Sequence, residues 1–303
     1  MNILLINHYA GSPYHGMEYR PYHFAMEWVK NGHTVTIVAS SFSHLRFQQP
    51  KYESSVTIEE IEDIQYIWLK TSEYRGNSFG RILNMFSFAA QLRVKTLPIK
   101  KPDIVIDSST YPLSIYGAKK IARSHGARLI FEVHDLWPLS PMELGGYSKH
   151  HPFIMVMQQA ENYAYKNADR VVSLLPKAKE HMISHGMSPE KFVYVPNGID
   201  ISSWQLAEAL PEEHRNLLER LKCKGKFIVG YAGAHGIANA LHYFAEAACL
   251  LEKNHNIQFV LVGQGPQKKD LQSFVEREKL DNISFLPAVP KINIPDILDF
   301  FDV

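Results

Sequence analysis

Short apolar segments alternate with amphipathic segments along most of this chain, and this alternation limits the fold more than any other feature. Residues 2–7, 103–107 and 128–133 are nearly continuous apolar runs, which are typical of strands buried on both faces. Helical patterns follow such runs, for example at residues 20–30 and 112–125. Strands that alternate with helices predict an α/β fold built on a parallel sheet.

One turn interrupts the alternation, at Val195-Pro196-Asn197-Gly198-Ile199-Asp200. Pro196 has no N–H to donate and ends the apolar run before it. Asn197 and Gly198 tolerate positive φ, so the backbone can reverse there. We interpret Pro196, Asn197 and Gly198 as a hinge between two domains, with an ordinary turn after an edge strand as the alternative.

The segments on either side of this turn support the two-domain interpretation. A charged helical pattern follows the turn, and a second strand–helix alternation begins at Phe227. We therefore predict a first domain over residues 1–196, a linker with a surface helix over 197–225, and a second domain over 226–303. A length of 303 residues is sufficient for two domains.

The composition excludes several classes of protein. The net charge is +1 and no nucleic-acid motif is present, so we expect no nucleic-acid partner. The two cysteines, Cys223 and Cys249, lack the spacing of a metal site or a disulfide scaffold. No apolar run approaches the roughly 18–20 residues that span a bilayer. We predict a cytoplasmic protein, with peripheral attachment to the inner face of the membrane left open.

Residues 75–102 form a basic segment without a single acidic side chain. Arg75, Arg81 and Arg93 are interleaved with apolar residues such as Phe86, and positions 79, 82, 83 and 86 fall on one helical face. A basic amphipathic helix of this kind can lie on an anionic membrane. The alternative is a helix packed on the core whose basic residues face water.

Two further places in the first half are candidates for ligand binding. The loop after the first strand contains Gly11 and Gly16 but lacks the G-x-G-x-x-G spacing, so it is either a flexible ligand loop or a plain connection. His134 follows a predicted buried strand, where α/β enzymes place reactive groups and where an imidazole can hydrogen-bond a sugar hydroxyl. Trp137 could stack on a sugar ring or fill the core.

The second half contains two glycine-rich turns after successive strands. The first runs from Gly233 to Asn239 and is predicted to open a helix that continues to about residue 254. The second contains Gly263 and Gly265. A strand, a glycine turn and a helix N-terminus together form an anion site, because free N–H groups point outward and glycine lets a phosphate approach.

Taken in order, these motifs resemble the family-4 retaining glycosyltransferases of the GT-B fold. The closer resemblance is to amino-sugar transferases of bacterial O-antigen and capsule biosynthesis. The resemblance covers the whole chain and rests on these segments: Met1–Ile6, Asn7–Pro13, Gly16-Met17-Glu18, Asp135–Pro138, Val195–Asp200, Gly230–Gly236 and Phe259–Pro266.

This resemblance implies two Rossmann-like domains with a cleft between them, the first for the acceptor and the second for a nucleotide-sugar donor. It implies transfer with retention and without a metal or other cofactor. His134 matches the position expected to contact the transferred sugar. Residues 11–16 would lie near the donor phosphates and the acceptor, and residues 233–236 would bind the diphosphate. The helix near Arg81 would meet the membrane or a lipid-linked saccharide acceptor.

The chain departs from the family pattern in two respects. An Arg and a Lys of the diphosphate loop are replaced by Ala234 and Asn239, so His235 and Lys268 are left as candidates for donor binding. The acidic E-x7-E motif that holds the donor sugar would follow Val303 and is absent. We therefore expect an incomplete second domain, a truncated chain, and weak or no transfer by these 303 residues.

The donor nucleotide is expected to be UDP, on the basis of the resemblance alone. Two other functions remain open at this stage. One is a non-catalytic nucleotide-sugar-binding protein or an inactive fragment. The other is a nucleotide-sugar 2-epimerase of the same architecture, although its acidic and histidine groups are not evident in the sequence.

Overall fold

The computed structural model describes residues 1–16, 19–52, 54–76, 78–199, 201–206 and 208–303. Met17, Glu18 and Asp200, which belong to two of the motifs above, lie outside the described residues. The chain forms two compact units, Met1–Asn197 and Gly198–Val303. Both are α/β units.

The first unit is built on an eight-stranded sheet with the order β3-β4-β2-β1-β5-β6-β7-β8. All neighbouring strands pair in parallel except β3 and β4, which form a hairpin. Glu62 and Asp63 form its two-residue turn, both with positive φ, as a tight hairpin turn requires. The strands are β1 Asn2–Ile6, β2 Thr34–Ser40, β3 Val56–Ile61, β4 Ile64–Leu69, β5 Ile104–Ser109, β6 Arg128–Val133, β7 Arg170–Ser173 and β8 Phe192–Tyr194.

Helices cover both faces of this sheet, and the central strands have apolar side chains buried on both sides. In β1, Ile3 and Leu5 pack with Tyr22 and other residues on one face, whereas Leu4 and Ile6 belong to the larger core on the other face. The helices of this unit are α1 Tyr19–Lys30, α2 Phe79–Val94, α3 Ile115–His125, α4 Leu139–Gly145, α5 Pro152–Asn167 and α6 Lys179–Ser184.

The second unit has a three-stranded parallel sheet with the order β11-β10-β9. Its strand residues also alternate between two cores, since Val260 and Val262 pack on one side while Phe259 and Leu261 pack on the other. The elements are α7 Ile201–Trp204, α8 Glu212–Cys223, β9 Phe227–Ala232, α9 His242–Leu250, β10 Ile257–Val262, α10 Lys268–Glu278, β11 Ile283–Leu286 and α11 Ile294–Leu298.

The predicted helix after the first glycine turn begins later than expected. Residues 233–239 do not open an α-helix: a single 3-10 turn, Ile237–Asn239, is followed by Ala240 in the left-handed region, with φ 50°. The α-helix α9 starts only at His242. The prediction of a helix N-terminus at Gly233–Asn239 was therefore wrong, and an anion at this turn would meet loop backbone rather than a helix end.

The basic segment does form the predicted helix, α2, but it buries a different face from the one that the apolar pattern suggests. Met85, Phe88 and Leu92 enter the core, whereas Phe79, Leu83 and Phe86 are 71%, 51% and 39% exposed. The predicted apolar face therefore points to solvent.

Among the described residues, no helix combines the length and the apolar character needed to cross a membrane.

Helices α2 and α3 approach each other closely at Gly117. A Cβ added there would lie 2.6 Å from the Cβ of Leu92, which is itself buried in α2. We expect Gly117→Ala to lower the free energy of unfolding by about 1–3 kcal/mol, because overpacking outweighs the roughly 1 kcal/mol gain in helix propensity. Urea denaturation monitored by fluorescence measures the change.

The matched control is Ser124→Ala on the exposed side of the same helix. It should change the free energy of unfolding by less than about 0.5 kcal/mol. Stability that is unchanged or increased in Gly117→Ala would contradict the close packing of the two helices.

Candidate active site

The strand order of the first unit reverses between β1 and β5, and polar side chains gather at the carboxyl ends of these strands. Asn7 follows β1, Ser108 lies near the end of β5, and His134 follows β6. The Asn7 Nδ2 donates to Ser108 Oγ at 3.2 Å. In open α/β sheets a ligand crevice lies at such a switch point, so the geometry marks this edge as a candidate site.

His134 is held by two side chains at this edge. Its Nε2 lies 3.0 Å from Ser108 Oγ and 3.1 Å from Glu132 Oε2. The imidazole keeps 10% of its side-chain surface exposed, whereas Glu132 keeps 6%. Its contacts with Ser108 and Glu132 fix the orientation of the ring.

Glu132 is ionised although it is buried. Burial alone would raise the pKa of this carboxyl, but the hydrogen bond and charge of His134 and the charge of Arg20 lower it to about 2. The Nε and Nη2 atoms of Arg20 both donate to Glu132 Oε1, at 3.1 Å and 3.0 Å. Arg20 and His134 therefore share one buried carboxylate.

Arg20 also binds the turn that we interpreted from the sequence as a hinge. Its Nη2 donates to the Val195 carbonyl at 2.8 Å, and its Nη1 donates to the Pro196 carbonyl at 3.0 Å and to Asn197 Oδ1 at 2.8 Å. One guanidinium thus connects this turn to the carboxylate that orients His134. The sequence analysis missed Arg20, because its position in the first turn of α1 carries no motif.

Asp107 lies beneath the site in β5. It is fully buried, and neither carboxyl oxygen has a hydrogen-bond partner among the described residues. Burial is the main cause that raises its pKa, to about 7. At neutral pH the side chain is therefore close to the midpoint of its titration.

The loop after β1 is fixed from below by the buried side chain of Arg46. This guanidinium donates to the carbonyls of Ala10, Ser40 and His8, at 2.9, 2.8 and 3.4 Å. Gly11 is buried, and its carbonyl accepts the Tyr66 hydroxyl at 2.9 Å. The described part of the loop is therefore held by hydrogen bonds along its length.

Gly16 closes this loop in a conformation that requires glycine. Its φ is 97°, and a Cβ there would lie 2.4 Å from the ring of Phe47. No other side chain could occupy this position without moving Phe47.

Trp137 packs rather than presenting an open ring. It contacts the rings of Tyr111 and Phe153, and its Nε1 donates to Asp135 Oδ2 at 3.2 Å. Asp135 also accepts the Ser140 hydroxyl. Asp135 and Trp137 thus anchor the loop that follows His134.

The basic residues around α2 occupy different positions. Arg81 donates from Nε to the Tyr9 hydroxyl at 3.3 Å, so it lies beside the β1–α1 loop. Arg75 precedes the helix and Arg93 lies in its last turn, and both are exposed. Phe86 lies on the solvent-facing side of the helix.

In the second unit the two glycine turns are in direct backbone contact. A Cβ on Gly263 would lie 1.9 Å from the Gly233 carbonyl oxygen, and one on Gly265 would lie 2.4 Å from the His235 carbonyl oxygen. His235 N donates to the Gln264 carbonyl at 2.8 Å, and Gly233 N donates to the Val262 carbonyl at 2.9 Å. The backbone N–H groups of Ala234 and Gly236 find no acceptor within the described part of the chain.

The polar side chains of these turns support the backbone. His235 is fully buried, and burial and Lys268 lower its pKa, so the ring is neutral at neutral pH. Lys268 Nζ donates to the carbonyls of Gly263 and Leu286, at 2.9 and 3.3 Å. Asn239 Nδ2 donates to the Ala234 carbonyl at 2.7 Å. His235 therefore adds no positive charge at this turn.

The pKa of Asp107 leads to a testable pH dependence. The folded state keeps a proton that the unfolded chain loses above a pH of about 4, so this residue makes stability fall as the pH rises through about 4 to 7. Asp107→Asn removes that loss. We expect the stability of Asp107→Asn relative to wild type to increase by about 2–3 kcal/mol between pH 5 and pH 8, measured by urea denaturation.

The control for this experiment is Asp281→Asn, an exposed carboxyl in the second unit. It should leave the pH dependence of unfolding unchanged. Parallel stability curves for Asp107→Asn and wild type would contradict an elevated pKa at Asp107.

Comparisons with known proteins agree with this architecture. The chain is 24% identical over 286 residues to WcaI of Escherichia coli K12, which is named as a colanic acid biosynthesis glycosyl transferase. The aligned region covers 91% of this chain and 69% of that protein. Two crystal structures have a similar fold. HepE of Anabaena, solved with UDP-glucose, has a TM-score of 0.63 at 16% identity over 100% of this chain and 72% of its own. WaaG, a glycosyltransferase involved in lipopolysaccharide biosynthesis, has a TM-score of 0.64 at 14% identity over 99% and 73%.

The family itself is established by a match to most of the first unit and to the start of the second. Residues 14–203 match the model of Glycosyltransferase Family 4, which is more than half of the chain. The fold is α/β, with a large and mainly parallel sheet, and its structural neighbours are GT-B glycosyltransferases. This chain belongs to glycosyltransferase family 4.

Proposed function

We propose that this protein transfers a sugar, with retention, from a UDP-sugar to a lipid-linked saccharide in bacterial surface polysaccharide synthesis. The transferred sugar is proposed to be an N-acetylated amino sugar. The first unit binds the acceptor and the second unit binds the donor. Support comes from the family match and from relatives whose names refer to colanic acid and lipopolysaccharide biosynthesis.

The observation that carries this proposal is the position of His134. Its imidazole lies at the switch point of the first sheet, partly exposed and oriented by Ser108 and by the ionised Glu132. A ring held in this way can hydrogen-bond a hydroxyl of the transferred sugar. Arg20 keeps the carboxylate ionised and in place.

The glycine turns of the second unit are proposed to bind the donor diphosphate. The N–H groups of Ala234 and Gly236 lack acceptors in the described residues, and the glycines allow a phosphate to approach the backbone. His235 shapes this turn as a neutral, buried ring. Lys268 fixes the neighbouring turn through the Gly263 carbonyl and places positive charge close by.

The exposed face of α2 is proposed to contact an anionic membrane that carries the acceptor. Phe79, Leu83 and Phe86 point to solvent, and Arg93, in the last turn of the same helix, is exposed as well. Arg81 lies beside the β1–α1 loop instead. Apolar side chains that enter the acyl boundary and cations that meet anionic headgroups favour the same orientation. Arg75, just before the helix, adds to this positive charge.

The direct test is a transfer assay with defined donors. The purified chain is incubated with UDP-glucose, UDP-galactose or UDP-N-acetylglucosamine and a lipid extract that contains lipid-linked saccharides, and the products are measured by mass spectrometry. A sugar-extended lipid supports the proposal. UDP binding without transfer would favour a non-catalytic binding protein, and solvent deuterium appearing in the sugar would favour a 2-epimerase.

Substitution of the central imidazole tests its role. We expect His134→Ala to lower kcat by about 100-fold or more, because a hydrogen-bonding group beside the transferred sugar is lost at the reacting centre. The KM for the UDP-sugar should change much less. Steady-state kinetics measure both values, and circular dichroism confirms that the variant is folded.

His255→Ala, an exposed histidine of the second unit, is the matched control and should retain wild-type kcat. If His134→Ala and His255→Ala had the same kcat as wild type, His134 would have no part in transfer.

Vesicle binding tests the membrane contact. We expect the double variant Phe79→Ser, Leu83→Ser to bind vesicles of phosphatidylglycerol about 10-fold or more weakly, because two exposed apolar side chains no longer enter the bilayer. Sedimentation with vesicles measures the partition coefficient. Added salt should weaken wild-type binding as well, since it screens the arginines.

The control is Leu250→Ser, which replaces an 86%-exposed leucine at the end of α9. It should bind vesicles as wild type does. Equal binding by all three proteins would exclude the exposed face of α2 as the membrane contact.

A further inference from the structure

Two helices of the first unit bring together three side chains with metal-binding atoms. Glu161 comes from α5, His181 from α6, and His185 from the residue that ends α6. One ligand atom from each side chain lies within 4.8 Å of the other two. Glu161 is buried, and both histidines are partly exposed.

The distances suit a single small cation. Zinc–nitrogen and zinc–oxygen bonds of about 2.0–2.1 Å place two tetrahedral ligands about 3.3–3.4 Å apart. His181 Nε2 and Glu161 Oε1 are separated by 3.3 Å. The two imidazoles are four residues apart, so they lie on one helical side, with ring centroids 4.2 Å from each other.

Neighbouring groups orient these side chains as they do in metal sites. The Tyr165 hydroxyl donates to Glu161 Oε1 at 2.9 Å, and Gln158 Nε2 donates to Glu161 Oε2 at 2.6 Å. His185 Nδ1 donates to the His181 carbonyl at 2.9 Å. That hydrogen bond fixes the tautomer in which Nε2 of His185 carries the lone pair for a metal.

We propose that Glu161, His181 and His185 bind one Zn²⁺, with water as the fourth ligand. Two imidazoles and one carboxylate favour zinc over Mg²⁺ and Ca²⁺, which prefer oxygen ligands. On binding, neutral His181 carries its proton on Nδ1 and gives the Nε2 lone pair to zinc, in place of its hydrogen bond to Glu161. Without metal, the same two atoms are in hydrogen-bond contact at 3.3 Å.

The proposed ion has a structural role, and it enters from the histidine side. Glu161 and Tyr165 line a cavity of only about 10 Å³ with Trp137, which leaves space for no more than a water molecule. His181 keeps 20% of its side chain exposed, so this is the open side. The bound ion would join α5 to α6, and α5 packs on β6 through Tyr165 and Phe131.

The test is zinc binding by the metal-free full chain. Elemental analysis after dialysis should give about one zinc per chain, and competition with a chromophoric chelator should give the affinity. His181→Ala and His185→Ala should each lower the affinity by 10-fold or more, whereas His150→Ala, an exposed histidine outside the cluster, should not. MgCl2 should not compete.

A stability measurement separates binding at this site from binding to other histidines. At a 100-fold excess over Kd, zinc should raise Tm by about 5 °C or more in wild type and His150→Ala, and should not raise it in His185→Ala. His185 is the safest substitution, because it lies at a helix end. The proposal would be overturned if His181→Ala and His185→Ala left the zinc affinity unchanged, or if the wild-type protein retained no zinc. The cluster would then be a hydrogen-bonded contact without a metal.

Discussion

The contact between Arg20 and Glu132 is the interaction on which the first unit depends most. It places a charged carboxylate below the surface at the end of β6, where an unpaired charge would be strongly unfavourable. The guanidinium that balances this charge comes from α1, on the other side of the β1–α1 loop, and it also binds the Val195–Asn197 turn. The Arg20 guanidinium therefore connects α1, β6 and the Val195–Asn197 turn. It also holds the carboxylate that orients His134.

The strands, the glycine turns and the location of His134 could be predicted from the sequence, because periodicity and turn chemistry are local. The Arg20–Glu132 pair could not, since 112 positions separate its members and neither lies in a motif. The start of α9 was predicted too early because the glycines suggested a helix N-terminus, whereas Ala240 adopts the left-handed region and delays the helix. The pattern of α2 identified an apolar face correctly, but hydrophobic periodicity cannot tell a face that packs inward from one that meets another surface.

The fifteen histidines show how far environment decides what one side chain does. His8 is buried against Phe88 and Tyr111, and burial moves its pKa well below the ordinary value, so it acts as an aromatic core residue. His15 is hydrogen-bonded to Ser12 within the β1–α1 loop. His134 alone, of the histidines described above, combines a carboxylate partner with a strand end at the switch point of the sheet. The residue type alone made many histidines candidates for a functional role. Their burial and their hydrogen-bond partners distinguish the functional candidate from the core residues.

The backbone contact between the Gly233–His235 and Gly263–Gly265 turns has a consequence for adaptation as well as for structure. Because the Gly233–His235 turn occupies the space where Gly263 and Gly265 would need a Cβ, a substitution at either of these two glycines is tolerated only if the first turn retreats. The hydrogen bonds between the two turns also fix their conformation when the unit folds. A ligand that reaches these amides meets a preorganised surface, and the conformational entropy of the loops is not lost again on binding.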